Sequence, residues 1–171
     1  MLLCLWVMLA GCSKSPTPPT TTPTAATPQL AEDKRIRSVD VVKATAQPVE
    51  IGAGSSGEAV VYLAIQNGYH INANPPTYPY LIATALEVPP ANGLSLGKVS
   101  YPKSLNRKFA FAEKPLAVYE RETEIKATVK ADKSAKQGKQ SLAAKLRIQA
   151  CDEAVCYPPG TLELVIPVTI K

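Results

Sequence analysis

Aromatic side chains are scarce in this 171-residue chain, at 6%, and it holds one histidine, one tryptophan and four cysteines. Four cysteines are too few for a fold built on a disulfide framework, and a histidine without a companion argues against a zinc site of paired ligands. The tryptophan, Trp6, lies in the first ten residues, so the core Trp of antibody domains is missing. No stretch keeps a helical period with caps at its ends, and no run is apolar for long enough to cross a bilayer. Charge of one sign is not concentrated either. The 19 basic and 14 acidic residues leave a formal +5. The basic residues are spread from Lys14 to Lys171 rather than gathered into an aromatic-interleaved patch, which excludes a nucleic-acid surface.

What is present begins with residues 1–10, Met-Leu-Leu-Cys-Leu-Trp-Val-Met-Leu-Ala. That is the size of a signal-peptide hydrophobic region. It runs into Leu9-Ala10-Gly11-Cys12, which resembles the lipobox of bacterial lipoproteins, although no Lys or Arg precedes the apolar run. The resemblance implies that residues 1–11 are removed and that Cys12 carries lipid. Ser13 at the next position implies the outer membrane of a Gram-negative envelope. Residues 12–30 are Pro, Thr, Ala and Ser with almost no apolar bulk, a composition that cannot bury enough surface to fold. Their prolines favour an extended chain at about 3.1 Å per residue, a tether reaching on the order of 50 Å.

The folded domain is expected over residues 31–171. Hydrophobic residues make up 46% of the chain, enough for a core. Short segments rich in Val, Ile, Thr and Tyr, separated by Gly, Pro and Asn, predict strands at 38–46, 58–66, 80–88, 94–101, 118–129, 141–150 and 161–170. Several alternate cleanly: Ile125, Ala127 and Val129 share one face, as do Leu142, Ala144, Leu146 and Ile148, and Leu162, Leu164, Ile166 and Val168. The class is all-β, and the spacing suggests a two-sheet sandwich.

Cys151 and Cys156 are the pair left for chemistry once the N-terminal cysteines are set aside. A disulfide between them would close a small ring worth about 2 kcal/mol, against roughly 4.7 kcal/mol for a hundred-residue loop. Such a spacing leans towards exchange rather than stapling. Bonded cysteines need Cα atoms about 4.4 to 6.8 Å apart, whereas five extended steps span roughly 17 Å, so Asp152-Glu153-Ala154-Val155 must turn back as a hairpin end. Two carboxylates beside the thiols, without a helix N-terminus, do not favour an activated thiolate. A disulfide here is better suited to accept attack from a partner's thiolate.

Ile148-Gln149-Ala150-Cys151-Asp152-Glu153-Ala154-Val155-Cys156-Tyr157-Pro158-Pro159 is similar to the cysteine motif of the N-terminal periplasmic domain of the DsbD thiol:disulfide interchange family, including its free-standing relatives. Two further blocks resemble the same family: Gly68-Tyr69-His70-Ile71-Asn72-Ala73-Asn74-Pro75-Pro76, and 99–103 with 115–120. The resemblance implies an immunoglobulin-like β-sandwich. It implies that Cys156 forms mixed disulfides with partners while Cys151 resolves them, and that a cap loop shields the pair. The cap is assigned to residues 111–116, with Phe111, Glu113 and Leu116 as its groups, although the family's acidic-aromatic cap sequence is not reproduced. Partners implied are a membrane-embedded thiol reductase and a thioredoxin-like domain upstream, with oxidised envelope proteins downstream. No cofactor or metal is expected.

Two other readings are open to the residues. One is a non-catalytic sandwich whose small disulfide stiffens a hairpin used to bind another envelope protein. The other places a metal on His70 with the two cysteines, which is discounted because His70 has no second histidine; a hydrogen-bonded structural histidine is the commoner role. The 72–76 stretch reads as a turn in which Asn bonds to nearby backbone.

Overall fold

The computed structural model describes residues 36–171. The expected signal segment, Cys12 with its expected lipid, and the expected tether over 12–30 lie outside the described residues. Twelve strands form the domain, and no α-helix occurs among the described residues. They are β1 (Val42–Ala46), β2 (Val49–Ile51), β3 (Ser56–Ile65), β4 (His70–Asn72), β5 (Ala85–Glu87), β6 (Leu94–Ser100), β7 (Leu105–Arg107), β8 (Leu116–Glu120), β9 (Glu122–Ala131), β10 (Gly138–Ile148), β11 (Ala150–Cys151) and β12 (Gly160–Ile170).

The long strands behave as their alternation predicts. In β9 the buried residues are Ile125, Ala127, Val129 and Ala131; in β10 they are Leu142, Ala144, Leu146 and Ile148; in β12 they are Leu164, Ile166, Val168 and Ile170. A period of two places one set inward and sends Lys126, Lys145 and Glu163 to water. These faces meet in one core between two sheets, ordered β1-β3-β9-β6 and β2-β12-β10-β5. The result is an immunoglobulin-like β-sandwich.

A third sheet, β11-β4-β8-β7, carries the cysteine region and has a small core of its own in Phe109, Ala112, Leu116 and Val118. The chain enters it by leaving β10 at Gln149, so Cys151 lies two residues past the point where the backbone crosses between sheets. A second crossing divides the segment read as one strand over 118–129. Arg121 adopts φ 58° there, ending β8 in the third sheet and starting β9 in the first.

Other boundaries also differ from the sequence reading. Residues 38–40 form a 3-10 turn rather than the start of a strand, held by Asp40, whose carboxylate accepts from the Arg37 backbone N–H at 3.0 Å and from its guanidinium at 2.7 Å. Residues 80–84 are loop, leaving Tyr80 72% exposed, and only 85–87 pair with β10. The three-residue strands β2, β4 and β7 are too short to show a period.

Candidate functional site

Cys151 and Cys156 are joined by a disulfide, with Cα atoms 3.9 Å apart across an isolated antiparallel bridge. The turn between them is built by Asp152. Its Oδ1 accepts from the backbone N–H groups of Ala154 and Val155, each at 2.8 Å, and its own N–H donates to the Val155 carbonyl at 2.9 Å. Its Oδ2 accepts the Tyr157 hydroxyl at 2.5 Å. The Tyr157 bond, followed by the two backbone bonds, holds the Asp152 carboxyl below its ordinary range, while the same contact pushes the Tyr157 phenol up to about 12. The acid beside the cysteines is therefore a structural anchor of the turn. Glu153 points elsewhere, 3.6 Å from the Arg107 guanidinium, which also pairs with Glu120 at 3.3 Å.

The base of the hairpin is fastened by Ser38. Its hydroxyl, fully buried, donates to the Pro158 carbonyl at 2.7 Å and accepts from the Ala150 N–H at 2.9 Å. One side chain so ties both arms of the hairpin to the N-terminal turn. Gln149 braces the other side: its Oε1 accepts from Asn72 Nδ2 and from the Ile82 N–H, both at 3.0 Å. The asparagines of the 72–76 stretch make these long-range bonds instead of the local turn bonds expected, with Asn74 Nδ2 donating to the Thr84 carbonyl at 2.9 Å. The Asn74–Pro75 peptide is cis.

The two sulfur-bearing residues differ in access. Cys151 is fully buried, whereas Cys156 is half-buried at the edge of an apolar recess of about 440 Å³. Tyr80, Leu81, Phe111, Leu116 and Val155 are among its walls. Of the three residues assigned to the cap, the structure brings Phe111 and Leu116 to this recess, while Glu113 is exposed and does not line it. Phe111 is 43% exposed and stacks on Phe109 with ring centroids 5.4 Å apart; Leu116 is buried beneath. Tyr80, Phe111 and Val155 leave an unusual amount of apolar surface in water around one cysteine.

His70 lies in β4, directly opposite Cys151 in the antiparallel register, and its ring stacks on Phe109 at 4.2 Å. Burial and, secondarily, the Arg107 charge lower its pKa to about 4, so the ring is neutral at physiological pH. Nε2 has no hydrogen-bond partner. Sequence reasoning expected a hydrogen-bonded loop histidine; the residue is in a strand, and its ring is held by stacking. Among the described residues no cluster of three or more His, Cys, Asp or Glu side chains is arranged to hold a metal ion. Ser38, Gln149 and Tyr157 were not singled out from sequence, and the only signal for the last two was their place beside the cysteines.

A sandwich that presents a hairpin disulfide, one sulfur-bearing residue sealed and the other beside an open apolar recess, has the geometry that thiol:disulfide interchange requires. The sequence profile described as "Thiol:disulfide interchange protein DsbD, N-terminal" matches residues 38–166, and the chain belongs to this family. Among solved structures, the reduced DsbD N-terminal domain of Neisseria meningitidis is 21% identical, with 81% of this chain and 94% of that one covered and a TM-score of 0.49. The N-terminal periplasmic domain of ScsB from Proteus mirabilis is 13% identical, with 74% of this chain and 46% of that one covered and a TM-score of 0.54; that likeness concerns the fold. No curated sequence matches at a significant level. No helix among the described residues is long and apolar enough to cross a membrane.

Proposed function

We propose that the domain is a relay for electrons in the bacterial envelope. It receives them from a membrane-embedded thiol reductase by way of a thioredoxin-like domain and passes them to oxidised envelope proteins through Cys156. The observation that carries this reading is the unequal access of the pair: Cys151 is sealed and Cys156 borders the recess. A partner's thiolate can approach Cys156 over Tyr80, Phe111 and Val155, leaving Cys151 as the departing and later resolving sulfur. Among the described residues there is no α-helix whose N-terminus could activate either thiol, and the disulfide form is the one that accepts attack. The cap role of residues 111–116 is supported by Phe111 and Leu116, which wall the recess; Glu113 is assigned by its place in the segment alone.

The same proposal covers the N-terminus. Residues 1–11 act as a signal, Cys12 carries the lipid, and residues 12–30 tether the domain away from the outer membrane. The support is the Leu9-Ala10-Gly11-Cys12 sequence followed by Ser13 and a Pro/Thr-rich stretch.

Removal of the resolving sulfur tests the relay. Cys151→Ser leaves Cys156 able to form a mixed disulfide that nothing resolves. In a chain also carrying Cys4→Ser and Cys12→Ser, the Cys156 thiol of the variant should displace thionitrobenzoate from a thioredoxin-like protein whose single remaining active-site cysteine is held as its thionitrobenzoate mixed disulfide. This should give a covalent adduct on a non-reducing gel, and Cys156→Ser should give none. Equal adduct from both variants, or from neither, would overturn the assignment.

A further inference from the structure

Disulfide reduction delivers two protons as well as two electrons, and the two sulfurs do not have equal access to protons. Cys156 can take its proton from solvent. Cys151 is fully buried, so a thiolate left there by the departing bond is poorly solvated and its proton must come through the protein.

The third sheet supplies one group for this. Residues directly opposite in an antiparallel pair put their side chains on the same face, with Cβ atoms about 5 Å apart. Glu120 of β8 faces His70 of β4, His70 faces Cys151 of β11, and Cys151 faces Cys156. The four form one row across the sheet, with His70 directly opposite the buried Cys151. That imidazole has a buried nitrogen with no partner in the disulfide form, a costly arrangement unless another state uses it. His70 also borders a second, polar recess of about 550 Å³, lined among others by Gln66, Arg107, Glu120 and Glu153. His70 thus stands between water and Cys151. The charged groups around it are Glu120 on β8, Arg107 on β7, and Asp152 and Glu153 on the hairpin.

We propose that His70 is the proton-transfer residue for Cys151, an inference that rests on the thiol:disulfide interchange reading of the pair. When a partner thiolate attacks Cys156 Sγ, a new sulfur–sulfur bond forms there and the Cys151–Cys156 bond breaks, its electron pair staying on Cys151 Sγ. His70 gives a proton to that sulfur from one ring nitrogen and takes one from recess water on the other. The partner's second thiolate then attacks the partner sulfur of the mixed disulfide and releases Cys156, which takes its proton from solvent. The partner dithiolate is oxidised to a disulfide, its two electrons end on Cys151 and Cys156, and the two protons they carry come from water. In the opposite direction, with Cys156 in a mixed disulfide, His70 removes the Cys151 proton so that Cys151 can expel the bound thiol.

The reduced full chain carrying Cys4→Ser and Cys12→Ser, in which Cys151 and Cys156 are the two thiols, reads this step directly when treated with 5,5′-dithiobis(2-nitrobenzoate). The first thionitrobenzoate is released as Cys156 attacks; the second is expelled by Cys151 in a first-order phase independent of reagent concentration. In the unaltered protein that second phase should be nearly flat between about pH 6 and 8, because the base is internal. In His70→Phe, which keeps an aromatic ring against Phe109, it should fall about tenfold per pH unit and be about 100-fold slower at pH 6, the usual scale of a lost general base. Superimposable pH profiles would overturn the role of His70. A second measurement needs no variant: His70 is the only histidine, so its ring nitrogens can be followed by NMR in both redox states. They should shift on reduction while the ring stays neutral; identical signals would contradict the inference. If the unaltered protein shows no second release, it is the interchange reading itself that fails.

Discussion

Replacing Ser38 by alanine separates the anchoring of the cysteine hairpin from the rest of the fold. The hydroxyl makes two bonds, but their loss is unequal. The Pro158 carbonyl belongs to an exposed residue and can turn to water, whereas the N–H of Ala150 belongs to a fully buried one and is left without a partner. An orphaned buried donor costs about 1 to 3 kcal/mol, so the variant should lose about 2 kcal/mol. With a urea dependence of about 2 kcal/mol per molar for a domain of this size, the unfolding midpoint of the oxidised protein should drop by about 1 M with its slope unchanged. Arg37→Ala is the control. It removes the exposed ion pair of the same turn, 71% and 41% accessible at its two side chains, and should leave the midpoint where it was. If Ser38→Ala moves the midpoint no further than Arg37→Ala, the anchoring role is refuted.

Tyr157→Phe removes the donor that Asp152 Oδ2 accepts. In a spectrophotometric titration the parent should show one phenol ionising near 12, and the variant should lose that step. Because the folded phenol is raised above its ordinary 10, its stabilisation is fully present below pH 10 and is lost as pH rises from 10 towards 12; the variant should lack this decline. For His70 the folded pKa is depressed from 6.5 to about 4, so the unfolded chain binds the extra proton and stability falls as pH drops through that window. Urea midpoints of His70→Phe should be flatter than those of the parent between pH 6.5 and 4. Arg121→Gly should raise stability by about 1 kcal/mol in thermal or urea unfolding, since a side chain at φ 58° carries left-handed strain that glycine avoids.

The long core strands were legible because their period of two is sustained: Leu142 to Ile148 and Ile125 to Val129 each repeat often enough to fix which face is inward. The break at Arg121 was not, since arginine gives no turn signal and its left-handed backbone follows from the need to switch sheets. The same reason hides Ser38. In sequence it begins an apolar-rich segment, and only the fold brings it to Ala150 and Pro158, more than a hundred residues away. At the site, the pairing of Cys151 with Cys156 and the turn over 152–155 were readable from spacing. The placement of His70 opposite Cys151 was not, because β4 and β11 have three and two residues and their register depends on the rest of the sheet. Asp152 was read as an acid that sets the electrostatics of the thiols; its geometry makes it the organiser of the turn.

Thiol trapping of the pair across a series of redox buffers tests the exchange function most directly. Interchange requires Cys151 and Cys156 to pass between disulfide and dithiol at potentials above about −300 mV, where thioredoxin-like partners operate. A pair that stays oxidised below that value would be a structural disulfide, and the relay would be contradicted.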